Sequence, residues 1–116
     1  LFSTHWCLDG PCRGWGARQR HRLSAQRILQ KRAELGASDM PTIITADANS
    51  HMDQYDWDGG VRWLLRRGFR IAAKGAARGG IDYIFVSRGH WIVGDREVGP
   101  TRPSDHASFT VQLTLA

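Results

Sequence analysis

A carboxylate sits inside the most apolar run of this chain. Ile81-Asp82-Tyr83-Ile84-Phe85-Val86 reads as a buried strand, bounded upstream by Gly79-Gly80 and downstream by Ser87. A charge in such a run is costly unless it is paired. The fold must therefore bring a partner to Asp82, and His106 is the natural one, because an Asp–His pair fixes the imidazole tautomer and raises its basicity. The other reading of Asp82 is a strand-edge carboxylate facing solvent.

His106 lies in Arg102-Pro-Ser-Asp-His106, just before an alternating segment, Ala107 to Leu115, with Phe109, Val111, Leu113 and Leu115 on one side. Neighbours on an extended chain point to opposite faces, so Asp105 and His106 need separate partners. Asp105 could ligate a hard cation, or cap a turn after Pro103. A second acidic site ends another apolar run. Thr42 to Ala46 reads as a buried strand after Pro41, followed by Asp47-Ala48-Asn49. If the chain stays extended there, Asp47 and Asn49 share a face. The carboxylate could then orient a water, and the amide could donate to an oxyanion. Loop capping is the plainer account of both. His5 lies in an opening strand, Leu1 to Leu8, and gains functional weight only beside these other sites. His21, His51 and His90 read as surface residues.

Between these runs the pattern alternates with helices. Ala17 to Leu35 has no internal Gly or Pro, and Gly36 follows as a stop signal. Its expected apolar stripe is Ala25, Ile28, Leu29, Ala33 and Leu35, with Arg18, Arg20, Arg22, Arg27, Lys31 and Arg32 on the remainder. Gly60 to Arg67 reads as a shorter helix. Phe69 to Ala73 and Trp91 to Val93 read as further strands. Cys12 to Gly16, Asn49 to Asp58, Lys74 to Gly80 and Gly94 to Pro103 read as loops, and Asp9-Gly10-Pro11 as a turn. Trp6, Trp63 and Trp91 fit core positions, whereas Trp15 and Trp57 fall in loops and could line a cleft. The order argues an α/β fold: a mixed, mostly antiparallel sheet layered with helices.

With 116 residues this is one domain at most. The formal net charge of +5, concentrated between Arg13 and Arg32, attracts phosphate-bearing partners, nucleic acid among them, or simply solvates one face. No apolar run approaches membrane-spanning length, and the opening residues do not form a secretory signal. Cys7 and Cys12 could close a small loop in an oxidising compartment, and that loop offers too few ligands for zinc.

Four segments in order give this chain a family likeness: Ser3-Thr4-His5, Asp47-Ala48-Asn49-Ser50, Ile81-Asp82-Tyr83-Ile84-Phe85-Val86 and Ser104-Asp105-His106. The chain resembles the C-terminal half of the endonuclease/exonuclease/phosphatase (deoxyribonuclease I-like) superfamily. The likeness implies part of a four-layer α/β/β/α sandwich, with residues 1–116 forming the C-terminal portion and the N-terminal half absent. It also implies Mg²⁺- or Mn²⁺-dependent hydrolysis of a phosphoester, nuclease- or phosphodiesterase-like. In that scheme His106 acts at the scissile phosphate, Asp82 orients it and Asp47 positions the attacking water. Asn49 and His5 contact the phosphate, and Asp105 helps hold the metal. Ala46 and Ala48 stand where the family usually has Gly and Phe. The family's metal-binding Glu and an active-site Asn belong to its first half, and neither Glu34 nor Glu97 lies in such a motif. The expectation is therefore weak or no activity from this chain alone, with apolar sheet surface exposed. The rival expectation is a catalytically silent, nuclease-like module that uses Arg18 to Arg32 to hold nucleic acid or a protein partner.

Overall fold

The computed structural model describes residues 1–6, 15–50, 59–76, 80–100 and 104–116, with side chains from residue 19 onward in the first helix. Cys7, Leu8, the Asp9-Gly10-Pro11 turn, Cys12, Arg13, His51, Trp57, Arg102 and Pro103 lie outside the described residues, as do the side chains of Trp15 and Arg18. The elements run β1 (Phe2–His5), α1 (Trp15–Glu34), β2 (Ile43–Asp47), α2 (Gly60–Arg66), β3 (Phe69–Lys74), β4 (Asp82–Ser87), β5 (Trp91–Val98) and β6 (Phe109–Leu115).

Four strands form one sheet in the order β1-β2-β4-β3, and β5 pairs with β6 in a second. β1 and β2 are parallel, and the remaining pairs are antiparallel. A parallel pair needs a long crossover, which α1 supplies. The expected mixed, mostly antiparallel α/β arrangement is therefore present. Strand alternation divides the first sheet into two faces. Ile44, Ala46, Tyr83, Phe85 and Phe69 join Ala25 and Ile28 of α1 and Val61 and Leu64 of α2 in one apolar cluster closed by Trp6. The opposite face carries Thr45, Asp47, Asp82 and Ile84, which pair as Thr45↔Ile84 and Asp47↔Asp82. The β5–β6 sheet is tied to β3. Arg70 donates to the Trp91 carbonyl at 2.6 Å, and the Arg96 Nε–H donates to the Ala72 carbonyl.

α1 ends as its sequence dictates. Gly36 adopts φ 68°, Ala37 N donates to the Arg32 carbonyl and Gly36 N to the Ala33 carbonyl, a Schellman closure that needs a left-handed residue. The buried stripe differs from the sequence expectation. Ala33 and Leu35 are exposed, while His21 and Arg32 are buried at 2% and 9% relative exposure. Arg32 is held because its guanidinium donates to the Met40 carbonyl at 2.7 Å and lies 5.3 Å from the centre of the Phe69 ring. Burial lowers its pKa below the usual arginine value, with nearby Asp39 acting the other way. His21 sits 5.9 Å from the Trp6 ring. His90, also read as a surface residue, is half-buried, its Nδ1 2.8 Å from Ser87 Oγ.

β5 is longer than expected. The segment Gly94 to Val98, read as loop, continues the strand and pairs Arg96, Glu97 and Val98 with Val111, Thr110 and Phe109 across a register shift. One side of this strand faces water, which permits its polar residues. Trp63 is half-buried against the main cluster and Trp91 is half-buried beside Arg70. Ile92, Val98 and Leu115 are exposed, so apolar surface does remain on the second sheet. Among the described residues no helix is long and apolar enough to cross a membrane.

Gly60 opens α2 where there is no room for a side chain. A Cβ there would lie 2.5 Å from the Trp6 ring and 2.6 Å from the His21 carbonyl. Gly60→Ala is expected to lower stability by about 1–3 kcal/mol, as overpacking does. Urea denaturation checks this, and an unchanged midpoint would show that α2 and Trp6 are not in contact.

Candidate functional site

His5, Asp47 and Asp82 occupy one row across three strands. His5 pairs in register with Asp47, and Asp47 with Asp82. Each sits at the end of its strand pairing, and the backbone fixes the row: Trp6 N donates to the Asp47 carbonyl and Ala48 N to the Ile81 carbonyl, both at 2.8 Å. His106 reaches the same place from the segment preceding β6. Its Nδ1 is 2.6 Å from Asp82 Oδ2, and its Nε2 is 3.8 Å from Asp47 Oδ2. His5 Nε2 approaches that same Asp47 oxygen at 3.3 Å. Residues from four separate stretches of sequence thus meet at one end of the sheet.

Asp82 is 8% exposed, so the solvent-edge reading fails and the paired reading holds. A carboxylate this buried requires the charge-assisted bond that His106 supplies. The bond acts in return on the imidazole. The pKa of His106 is raised above its ordinary value, chiefly by the hydrogen bond to Asp82; partial burial opposes the shift, and the charges of Asp82, Asp47 and Asp105 add to it. With Nδ1–H donated to Asp82, Nε2 is the nitrogen presented to the cleft.

The loop after Asp47 does not stay extended. Asn49 takes φ 46°, its Nδ2 donates to the Trp6 carbonyl at 2.7 Å, and its backbone N donates to Asp47 Oδ1 at 3.2 Å. Asn49 therefore ties the loop to β1 and orients the Asp47 carboxylate. The Tyr83 hydroxyl donates to the Ser50 carbonyl at 2.8 Å from the helix side of the sheet. No sequence signal marked that contact. Asp105 is exposed at the rim, its Oδ1 4.0 Å from His106 Nε2. The His106 backbone N donates to Ser104 Oγ at 3.1 Å, which sets the turn that carries both residues.

Asp47, Asp82 and His106 each offer a ligand atom within 4.8 Å of the others. Carboxylate oxygens suit a hard divalent cation, and the open side next to Asp105 is the side such an ion could approach from. The donor chemistry thus fits an oxygen-bound ion. His106 Nδ1 is already engaged with Asp82, so the imidazole has one nitrogen left for ligand or substrate. The row borders an open cleft of about 310 Å³ lined also by Ser3, Thr45 and Phe109. Strand alternation could have revealed Ser3 and Thr45, which lie two residues before His5 and Asp47.

No protein-family profile and no curated protein sequence matches this chain. Its fold is similar to that of a solved mannosyl-6-phosphatase from Bacteroides thetaiotaomicron, with a TM-score of 0.59 and 23% identity over 95% of this chain. The match covers 49% of that protein, so the chain spans about half its length.

If Asp82 holds the proton balance of His106, Asp82→Asn should lower the midpoint at which the imidazole titrates. The sign follows from the raised pKa. The pair's contribution to stability is complete below the unfolded histidine pKa and is lost as pH rises through the higher folded value. NMR titration of the His106 ring protons checks both statements. An identical midpoint in the variant would separate the two residues.

Proposed function

We propose that this chain is a divalent-metal-dependent phosphoesterase of the endonuclease/exonuclease/phosphatase type, and that residues 1–116 form the C-terminal portion of its α/β/β/α sandwich. The observation that carries the reading is the meeting of His106 with Asp82 and Asp47 at one end of the sheet, at distances of 2.6 and 3.8 Å. The likeness of fold to a phosphatase over half its length supports it.

In this reading the phosphoryl group lies against His106 Nε2 and His5. Asp47, bracketed by the two imidazoles, orients a water and takes its proton as the water oxygen bonds to phosphorus. The ester oxygen leaves with the electrons of the broken P–O bond and takes a proton from solvent. His106, its proton affinity raised by the hydrogen bond to Asp82, stabilises the charge on the phosphoryl oxygens. Asn49 keeps Asp47 aimed through its backbone N–H. Asp105 and Asp82 would hold Mg²⁺ or Mn²⁺, which would supply charge neutralisation at the phosphoryl group.

Bis(p-nitrophenyl) phosphate and p-nitrophenyl phosphate, each with and without Mg²⁺, test the proposal. His106→Ala and Asp47→Ala should each lower turnover by about 10²–10⁴-fold, the range for removing a positioned acid–base group. Chelation of the metal should abolish turnover, and added Mg²⁺ or Mn²⁺ should restore it. With wild-type turnover measurable, equal rates for both variants would remove the enzyme reading of these residues and leave a silent binding module.

A further inference from the structure

The cationic helices of this chain and its cleft lie on opposite faces of the four-stranded sheet. α1 and α2 cover the face away from Asp47 and Asp82. Arg20, Arg27 and Lys31 of α1 and Arg62, Arg66 and Arg67 at α2 are exposed on that outer layer. Glu34 and Asp39 are exposed at its edge, and Lys31 Nζ lies 3.6 Å from Glu34 Oε2. An exposed ion pair of this kind contributes little, so the lysine remains available to a larger anion. A layer with this balance of charge attracts phosphate-bearing surfaces.

Apolar side chains stand out from the same helix. Residues four apart are neighbours on a helix surface, so Leu23, Arg27, Lys31 and Leu35 form one ridge. The Leu35 N–H donates to the Lys31 carbonyl at 3.0 Å, so helical spacing continues through it. Leu23 is 43% exposed and Leu35 64%. Cations thus fill the middle of the ridge and leucines its ends. Met40 follows the Gly36 turn and is 56% exposed. Its backbone is fixed: its N donates to the Ala37 carbonyl at 3.0 Å, and its carbonyl accepts from Arg32 at 2.7 Å and from Thr42 Oγ1 at 2.9 Å. The buried Arg32 therefore holds in place a turn whose apolar side chain takes no part in the core. A side chain on a backbone already fixed loses little freedom on binding.

The two kinds of side chain together select the partner. A nucleic-acid backbone would use the cations and gain nothing from the leucines and the methionine. A lipid surface uses both, because its phosphates lie just above its acyl chains. Arginine and lysine stems can follow that boundary while their charged heads stay among the phosphates. We propose that the outer face of α1 docks on an anionic lipid surface, with Leu23, Leu35 and Met40 entering the boundary between headgroups and acyl chains and Arg20, Arg27 and Lys31 meeting lipid phosphates. The helix lies on such a surface and does not cross it. The cleft, on the other face of the sheet, is then turned away from the bilayer.

The test is co-sedimentation of the full chain with vesicles of phosphatidylcholine alone and of phosphatidylcholine with roughly one-third phosphatidylserine. A duplex oligonucleotide serves as a polyanion without an apolar layer. The chain should partition onto the anionic vesicles at least about tenfold more strongly than onto the neutral ones, and less so as salt is raised. Arg27→Glu with Lys31→Glu should weaken that partition about thirtyfold. Leu35→Ser with Met40→Ser, both at exposed positions, should weaken it severalfold and leave binding of the duplex unchanged. Arg27→Glu with Asp95→Lys keeps the net charge of the chain and should bind as weakly as Arg27→Glu alone, because Asp95 lies on β5, outside the helical layer. Equal partition onto neutral vesicles, no partition onto either, or recovery by Asp95→Lys would overturn the proposal. So would binding that ignores the Leu35 and Met40 changes; joined to tight duplex binding that is lost in Arg27→Glu with Lys31→Glu, it would make this a nucleic-acid face instead. None of these outcomes depends on turnover at His106.

Discussion

Two carboxylates face each other across the β2–β4 pairing, and everything at this end of the molecule answers to that placement. Like charges directly opposite on neighbouring strands destabilise a sheet. Asp47 and Asp82 are tolerated together because positive or proton-bearing groups stand against both: His106 bridges toward the two, and His5 stands on the far side of Asp47. The turn at Ser104, the left-handed Asn49 and the Tyr83–Ser50 contact all hold these groups in position. The same electrostatic tension that the fold must relieve also gives His106 a proton affinity above the ordinary.

The layering explains why this tension can be kept. The helices and the main apolar cluster occupy one face of the four-stranded sheet, and the polar row occupies the other. Strength and chemistry are therefore separated by the thickness of a single sheet. Ala46 and Tyr83 pack toward the helices while their neighbours Asp47 and Asp82 point into the cleft.

Much of this was legible in the residues. The apolar run around Asp82, the strand ending at Asp47 and the alternation after His106 each identified an element and a candidate side chain, because a strand's period reports its faces directly. The buried Asp82 pointed to a histidine, and the histidine is there. Other features depend on tertiary contacts that no local pattern reports. Arg32 is buried because Met40 presents a carbonyl and Phe69 a ring. His21 is buried because Trp6 and Gly60 close over it. Gly94 to Val98 looks like loop because its residues are polar, but pairing with β6 makes it strand. Extended geometry through Asn49 was the natural reading of an i, i+2 pair; a side-chain bond to the Trp6 carbonyl turned the chain instead.

The β5–β6 unit has a consequence for motion. None of its residues belongs to the main apolar cluster, and two arginine-to-carbonyl bonds link it to β3. His106 is carried just ahead of β6, so its imidazole is attached to the less anchored part of the molecule. Local opening costs less free energy than global unfolding where apolar contacts are sparse. Opening of the β5–β6 unit would draw this imidazole away from Asp82 while β2 and β4 keep their own pairing.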